Sequence, residues 1–354
     1  MYWVTLVVGN GLESWATRRI DETSTTTALF RALSGLFVEI RIPHSYLYDT
    51  KVRAIDRVIY IPNVHTLPPF FLNRSTDRQT STMSSSSSSS SPFPDLPISG
   101  VSFPHSPITA AAFAYTKEHT TEAVYNHCAR SACFALILAK KLGPLAAMDP
   151  DLETVVLACV LHDMGWSFHK ELLSAFKRFE VDGADIARAW IRAYRGEGRE
   201  KWDEGRVQRV WDAIALHSTF SIARFGAPEV AAAHLGISVD FAGPKFPSDP
   251  WGDPVKQGAE QPGAVITVEE FREVLAAFPY AGFGAEGAKE ILCGLCRDKP
   301  GSTLDNFVSM FGREYGFDGK GTGKEEYTMM WRQAMGPEVL TGNFAYLEGL
   351  LEES

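Results

Sequence analysis

The sequence predicts an all-α bundle over residues 104–354, and three observations carry that reading. Apolar residues from residue 104 onward recur at intervals of three and four, the period of one helix face. Gly, Pro and hydroxyl or Asp residues stand where helices stop and start. No long run of alternating polar and apolar residues appears there. The first long helix is expected over 116–142, with Val124, Cys128, Ala132, Ala135, Leu138 and Leu142 on one face and Gly143-Pro144 as its stop. Residues 151–161 are short and nearly all apolar, which suits the middle of a bundle. Asp182 is a candidate cap for a helix over 184–194 with the apolar face Ile186, Trp190, Ile191 and Tyr194. Val210, Trp211, Ile214 and Leu216 mark the next helix, over 207–216, and 228–235 another. Residues 243–262 carry five prolines and read as an irregular excursion. Thr267 followed by Glu270 is a capping-box pattern opening a helix through Phe271, Val274, Leu275 and Phe278. The last helices are expected near 285–296 and 325–335.

The preceding third has a different character. Residues 1–72 contain strand-like pieces at 36–40 and 58–61 but no repeating scheme, so they are either a small accessory element or sequence that does not pack on the bundle. Residues 73–103 include eight consecutive serines, 84–91, and then Pro92, Pro94 and Pro97. Such a segment buries too little apolar surface to offset its chain entropy and is expected to be a disordered linker.

Charge is unevenly placed. The net charge is −9, made of +1 over residues 1–104 and −10 over the rest, so the bundle has no general attraction for nucleic acid. Five cysteines do not suggest a disulfide framework; Cys128, Cys133 and Cys159 lie in apolar stretches, and the isolated pair Cys293 and Cys296 fits a buried helix turn better than a metal knuckle. No stretch reaches 18 apolar residues, and no basic segment precedes the apolar start. A reducing, cytoplasmic setting without membrane contact is expected.

The adjacent pair His162-Asp163 sits at the end of the apolar run 155–161, before Gly165. His127 lies 35 residues upstream and Asp240 lies 77 downstream, both in segments expected to point inward. A buried charge needs neutralising, and one divalent ion held by His127, His162, Asp163 and Asp240 would do that. The bland alternatives are a core histidine at 127, a helix-end His beside a capping Asp at 162–163, and an exposed cap at 240. Because neighbours on a helix point about 100° apart, 162 and 163 can share an ion only where the helix ends.

This H…HD…D order resembles the HD superfamily of metal-dependent hydrolases. The frames Asn126-His127-Cys128-Ala129-Arg130, Ala158 to Trp166, Phe179 to Ala184, Ile214 to Ser218 and Gly236 to Phe241 together resemble its cyanamide hydratase-like branch, known from fungi, over about 104–317. The resemblance implies an HD-type helical bundle around a single metal site, zinc first and iron second. It implies catalytic or substrate-binding roles for His217, Asp182 and Asn126, with capping as the rival role for Asp182. Glu180 shares that frame; His234 is expected on a helix surface, His169 in a loop, and Arg130 on the helix face opposite His127. The implied reaction is addition of metal-activated water to a small nitrile, cyanamide giving urea. Two mild departures are Cys128, where Ser is common, and Ser218, where Thr is common.

Two other functions compete. HD phosphohydrolases commonly place Glu or Lys three residues after the Asp of the pair, where this chain has Trp166. A phosphohydrolase acting on a nucleotide would recruit cations such as Arg130, Lys170 and Arg178. A metal-stabilised binding module without catalysis is the third reading. The expected partner is a small molecule, with self-association left open.

Overall fold

The computed structural model describes residues 93–252 and 264–352, together with the backbone of three short strands nearer the start. The chain divides into two units, 1–86 and 87–354. In the first, β1 (Tyr2–Val7) pairs antiparallel with β2 (Trp15–Ile20) and with β3 (Val38–Glu39), giving the order β2-β1-β3. The strand-like piece at 36–40 thus contributes two paired residues, whereas 58–61 and the serine run lie outside the described residues.

The second unit is all-α, as its periodicity predicts. Its boundary, however, lies earlier than the composition suggests. Residues 93–103, expected to be linker, pack on the bundle: Phe93 stacks on Phe103 at 5.0 Å, and Leu96 is buried. The amides of Ile98 and Ser99 donate to the Glu273 carboxylate. Three apolar side chains in eleven residues outweigh the prolines between them.

The stretch expected as one helix from 116 is two helices. α1 (Pro107–His119) is capped by Ser106, and α2 (Glu122–Lys141) by Thr121. The break falls at Thr120, whose backbone is extended and whose hydroxyl donates to the Thr116 carbonyl, and at Thr121, whose side chain accepts from the Val124 amide. Thr116 in turn donates to the Val160 carbonyl and ties α1 to the core. After α3 (Gly143–Ala147), Asp151 caps α4 (Leu152–Leu161), whose residues 155–161 are fully buried. α5 (Phe179–Ala193) begins before Asp182, so that residue lies in the first turn and is not the cap. α6 (Glu204–Leu216), α7 (Phe220–Ala223) and α8 (Pro228–Ala242) follow. The Thr267–Glu270 capping box forms at the start of α9 (Val268–Ala277). The chain then runs through α10 (Ala285–Asp298), α11 (Val308–Tyr315), α12 (Lys324–Met335) and α13 (Pro337–Glu352).

α4 is the central rod, with α1, α2, α6 and α8 packed around it. α2 and α8 approach most closely at Gly236, where a Cβ would stand 2.5 Å from that of Ala135 and 2.7 Å from the Ser131 carbonyl oxygen. That approach sets His127 of α2 beside Asp240, one turn further along α8. A smaller apolar cluster of Phe179, Leu292, Cys296, Val308 and Tyr327 joins α10–α12 to the start of α5, with Trp166 packed against it. No described helix is long and apolar enough to cross a membrane, and all five cysteines are free and buried.

Candidate metal centre

Three of the four ligands expected from the sequence come together. The Nε2 atoms of His127 and His162 lie 3.2 Å apart. Asp163 Oδ2 stands 3.1 Å from His162 Nε2 and 3.6 Å from His127 Nε2. All three residues are buried, and they form a group that could hold a metal ion.

The local chain explains how neighbours share one point. His162 closes α4 with helical dihedrals, and Asp163 departs to φ −96°, ψ 22° within the 3-10 turn His162–Trp166. That kink swings its carboxylate back toward the His162 ring. The role of Gly165 is close approach: a Cβ there would stand 2.0 Å from the Phe179 carbonyl oxygen. Gly183 matches it from the other side, where a Cβ would meet the His162 carbonyl oxygen at 2.5 Å. The two glycines let α5 close on the turn.

Hydrogen bonding behind the rings fixes what they present. His162 Nδ1 lies 2.7 Å from the Cys159 carbonyl oxygen, and His127 Nδ1 lies 2.6 Å from Asp240 Oδ2. Each acceptor requires an Nδ1–H, which leaves a lone pair on each Nε2. Neither oxygen of Asp163 has any hydrogen-bond partner. Three acceptors therefore converge with no donor between them, an arrangement that a cation resolves. Ligands about 2.1 Å from a tetrahedral ion stand about 3.4 Å apart, which the triangle of 3.1, 3.2 and 3.6 Å matches. Without an ion the group draws a proton instead. Burial is the largest single influence and pushes the His162 ring down, but the Asp163 carboxylate and the Cys128 side chain together raise it well above its ordinary value.

Asp240 takes a different place from the one expected. Its Oδ2 holds His127 Nδ1, and Arg130 grips both oxygens, Nε to Oδ1 at 2.6 Å and Nη2 to Oδ2 at 2.8 Å. It stands behind His127 as an orienting carboxylate, the arrangement that fixes a ligand's tautomer and raises its basicity. Arg130 is likewise not on an outer face: it is fully buried and also donates to the carbonyls of Phe278 and Pro279. An arginine one turn after a histidine reads as a surface cation in sequence. Only its pairing with residue 240 reveals it as interior.

The expected catalytic residues divide. His217 is beside the group, its ring centroid 4.8 Å from that of His162 and its Nδ1 bonded to the Ile214 carbonyl. Burial, and then the His162 ring, hold it down at about 4, so it is neutral near neutral pH. Asn126 donates to the Pro279 carbonyl and serves to pin that loop. The Asp182 oxygens are committed to the Ser174 amide and, at 2.8 Å, to the buried Lys299 ammonium. Asp182 thus braces the Ser174 turn and balances the buried Lys299 charge. Glu180 is fully buried and pairs with Arg178 and with the Ser218 hydroxyl. His234, expected on a surface, is buried with Nδ1 2.7 Å from the His217 carbonyl oxygen, so it props the site from behind. His169 lies at the edge of a short 3-10 turn and pairs with Glu171.

Aromatic rings close the remaining sides. Phe283 stacks on His127 at 4.6 Å, and Phe241 stands 5.2 Å from the same ring. Phe179 lies 5.7 Å from His217. Trp166 spans the gap, 5.0 Å from Phe179 and 6.2 Å from Phe283, and its Nε1–H is buried without an acceptor. Phe283 was not legible as a site residue, since it lies 43 positions beyond Asp240 in a loop of no marked pattern.

Residues 124–245 match the family model of the HD domain. No curated protein matches the chain. The matched stretch contains His127, His162 and Asp163, the whole of the group that could hold a metal ion. The aromatic cover over the group comes partly from outside the match, through Phe283.

Proposed function

We propose that this HD domain adds water to a small, uncharged nitrile-type electrophile, with cyanamide, which would give urea, as the first candidate substrate. A divalent ion bound by His127, His162 and Asp163 supplies Lewis acidity and brings the pKa of a water near neutrality. The observation that carries the proposal is the convergence of three donor-free acceptors beneath an aromatic cover. His127 and His162 present lone pairs of fixed direction, and Asp163 supplies the negative charge that holds a dication. Trp166, Phe179 and Phe283 exclude bulk water and favour a compact apolar substrate. The unpaired Trp166 Nε1–H is a donor suited to a nitrile nitrogen or an amide oxygen. His217, with its Nδ1–H held by Ile214, offers Nε2 as a hydrogen-bond acceptor that can orient the attacking water.

A phosphate ester fits this environment less well. A phosphoryl group needs positive charge around it. Arg130 is consumed by Asp240 and two carbonyls, Arg178 by Glu180 and Lys299 by Asp182, while Lys170 is exposed. The purified chain, loaded in turn with zinc and iron(II), is expected to form urea from cyanamide. That activity should vanish in His162→Ala. Phosphate release from nucleotides without urea formation would transfer the assignment to the phosphohydrolases. Bound metal with neither product would leave a binding module.

A further inference from the structure

The C-terminal helix α13 presents an apolar face that nothing among the described residues covers. Val339, Leu340, Phe344, Tyr346, Leu347 and Leu350 are each between 38% and 62% exposed, although they stand on a regular sixteen-residue helix. With 3.6 residues per turn these six fall within an arc of about 160°. Glu338 and Glu348 lie on the opposite side. The pattern is that of a helix built to bury one side.

We propose that this face pairs with the same face of a second copy of the chain. Leu340, Phe344 and Leu347 follow one another at intervals of four and three, the seam spacing of a two-helix pair. Such a seam is self-complementary, as a twofold contact requires. Glu338 and Glu348 lie off it, so pairing does not bring these charges face to face. The six side chains leave on the order of 600 Å² in water, approaching the ~800 Å² per partner of a standard interface. A lipid surface fits poorly. Helices that lie on membranes carry Lys and Arg on the polar side, whereas α13 has no basic residue and three acidic ones.

Sedimentation velocity and light scattering of the full chain, from low to tens of micromolar, should show a species of twice the chain mass. The double variant Leu340→Glu/Leu347→Glu should raise the dimer dissociation constant by at least about 100-fold, since two apolar contacts are lost from each copy. Both side chains face solvent in the single chain, so helix content and bound metal should not change. Thr341→Glu, on the acidic side, should dimerise as wild type does. A wild-type monomer across the whole range would overturn the proposal, as would a dimer that survives the double variant. Binding of a monomer to phosphatidylcholine or phosphatidylserine vesicles would overturn it in favour of a lipid surface.

Discussion

Asp163→Asn is expected to lose the metal ion and the activity together while the fold survives. The substitution changes one buried atom and one charge. In the wild type neither Asp163 oxygen meets a donor, and the two Nε2 lone pairs that face it have none either. An asparagine NH2 supplies the donor that this group lacks, so the metal-free variant stays folded. The same NH2 and the lost charge remove the affinity for a dication. Activity should fall by about 10³-fold or more, because an ion contributes several kcal/mol of transition-state stabilisation at about 1.4 kcal/mol per factor of ten. The ion also stabilises the native chain by mass action, by roughly 4 kcal/mol at a thousandfold excess over its dissociation constant. A chelator should therefore lower the melting temperature of the wild type and leave that of Asp163→Asn unmoved. Metal content by mass spectrometry gives the direct reading. A variant that keeps its ion at wild-type affinity would show that Asp163 is not a ligand.

What the sequence reveals and conceals at this site follows from how each residue makes its contacts. His127, His162 and Asp163 are legible because each lies in or at the end of an apolar segment where a charged or imidazole side chain needs a partner. Helix α2 is legible from its apolar period, α4 from its nearly unbroken apolar run, and α8 only in part, since it runs to Ala242 where the sequence suggests an end at 235. Asp240 is found by the same pattern, but its partner is not. A carboxylate at the end of an apolar helix looks identical whether it faces an ion or an arginine. The choice depends on Arg130, which lies 110 residues earlier and becomes a neighbour only when α2 and α8 meet at Gly236. Asp182 misleads for a related reason. A first-turn aspartate usually serves the helix dipole, whereas this one serves Lys299, 117 residues away. The packing of 93–103 is hidden in composition, which averages over a serine run and three prolines, whereas packing depends on Phe93, Leu96 and Phe103 individually.

Arg130→Ala is expected to be the most damaging single change to stability. Its guanidinium is fully buried, paired through two nitrogens with Asp240 and bonded to the Phe278 and Pro279 carbonyls. Truncation leaves a buried carboxylate without its cation and the Phe278 carbonyl without its arginine donor, while the Pro279 carbonyl keeps only Asn126. Breaking such a pair from one side costs about 3–5 kcal/mol, measurable by denaturant unfolding of the metal-free protein. Arg130→Lys should recover little, since one ammonium cannot hold a carboxylate in bidentate fashion and reach the loop as well. The loop matters to the site because it carries Phe283 onto the His127 ring. Asp240→Asn separates the two roles of the pair. It removes the charge behind His127 but keeps an oxygen for Nδ1–H, so metal affinity should fall by roughly 10–100-fold, as for other groups that orient a ligand. The ion should still bind. Were Asp240 itself the closing ligand, its amide would instead empty the centre as completely as Asp163→Asn, and a side-by-side metal titration of the two variants distinguishes the arrangements.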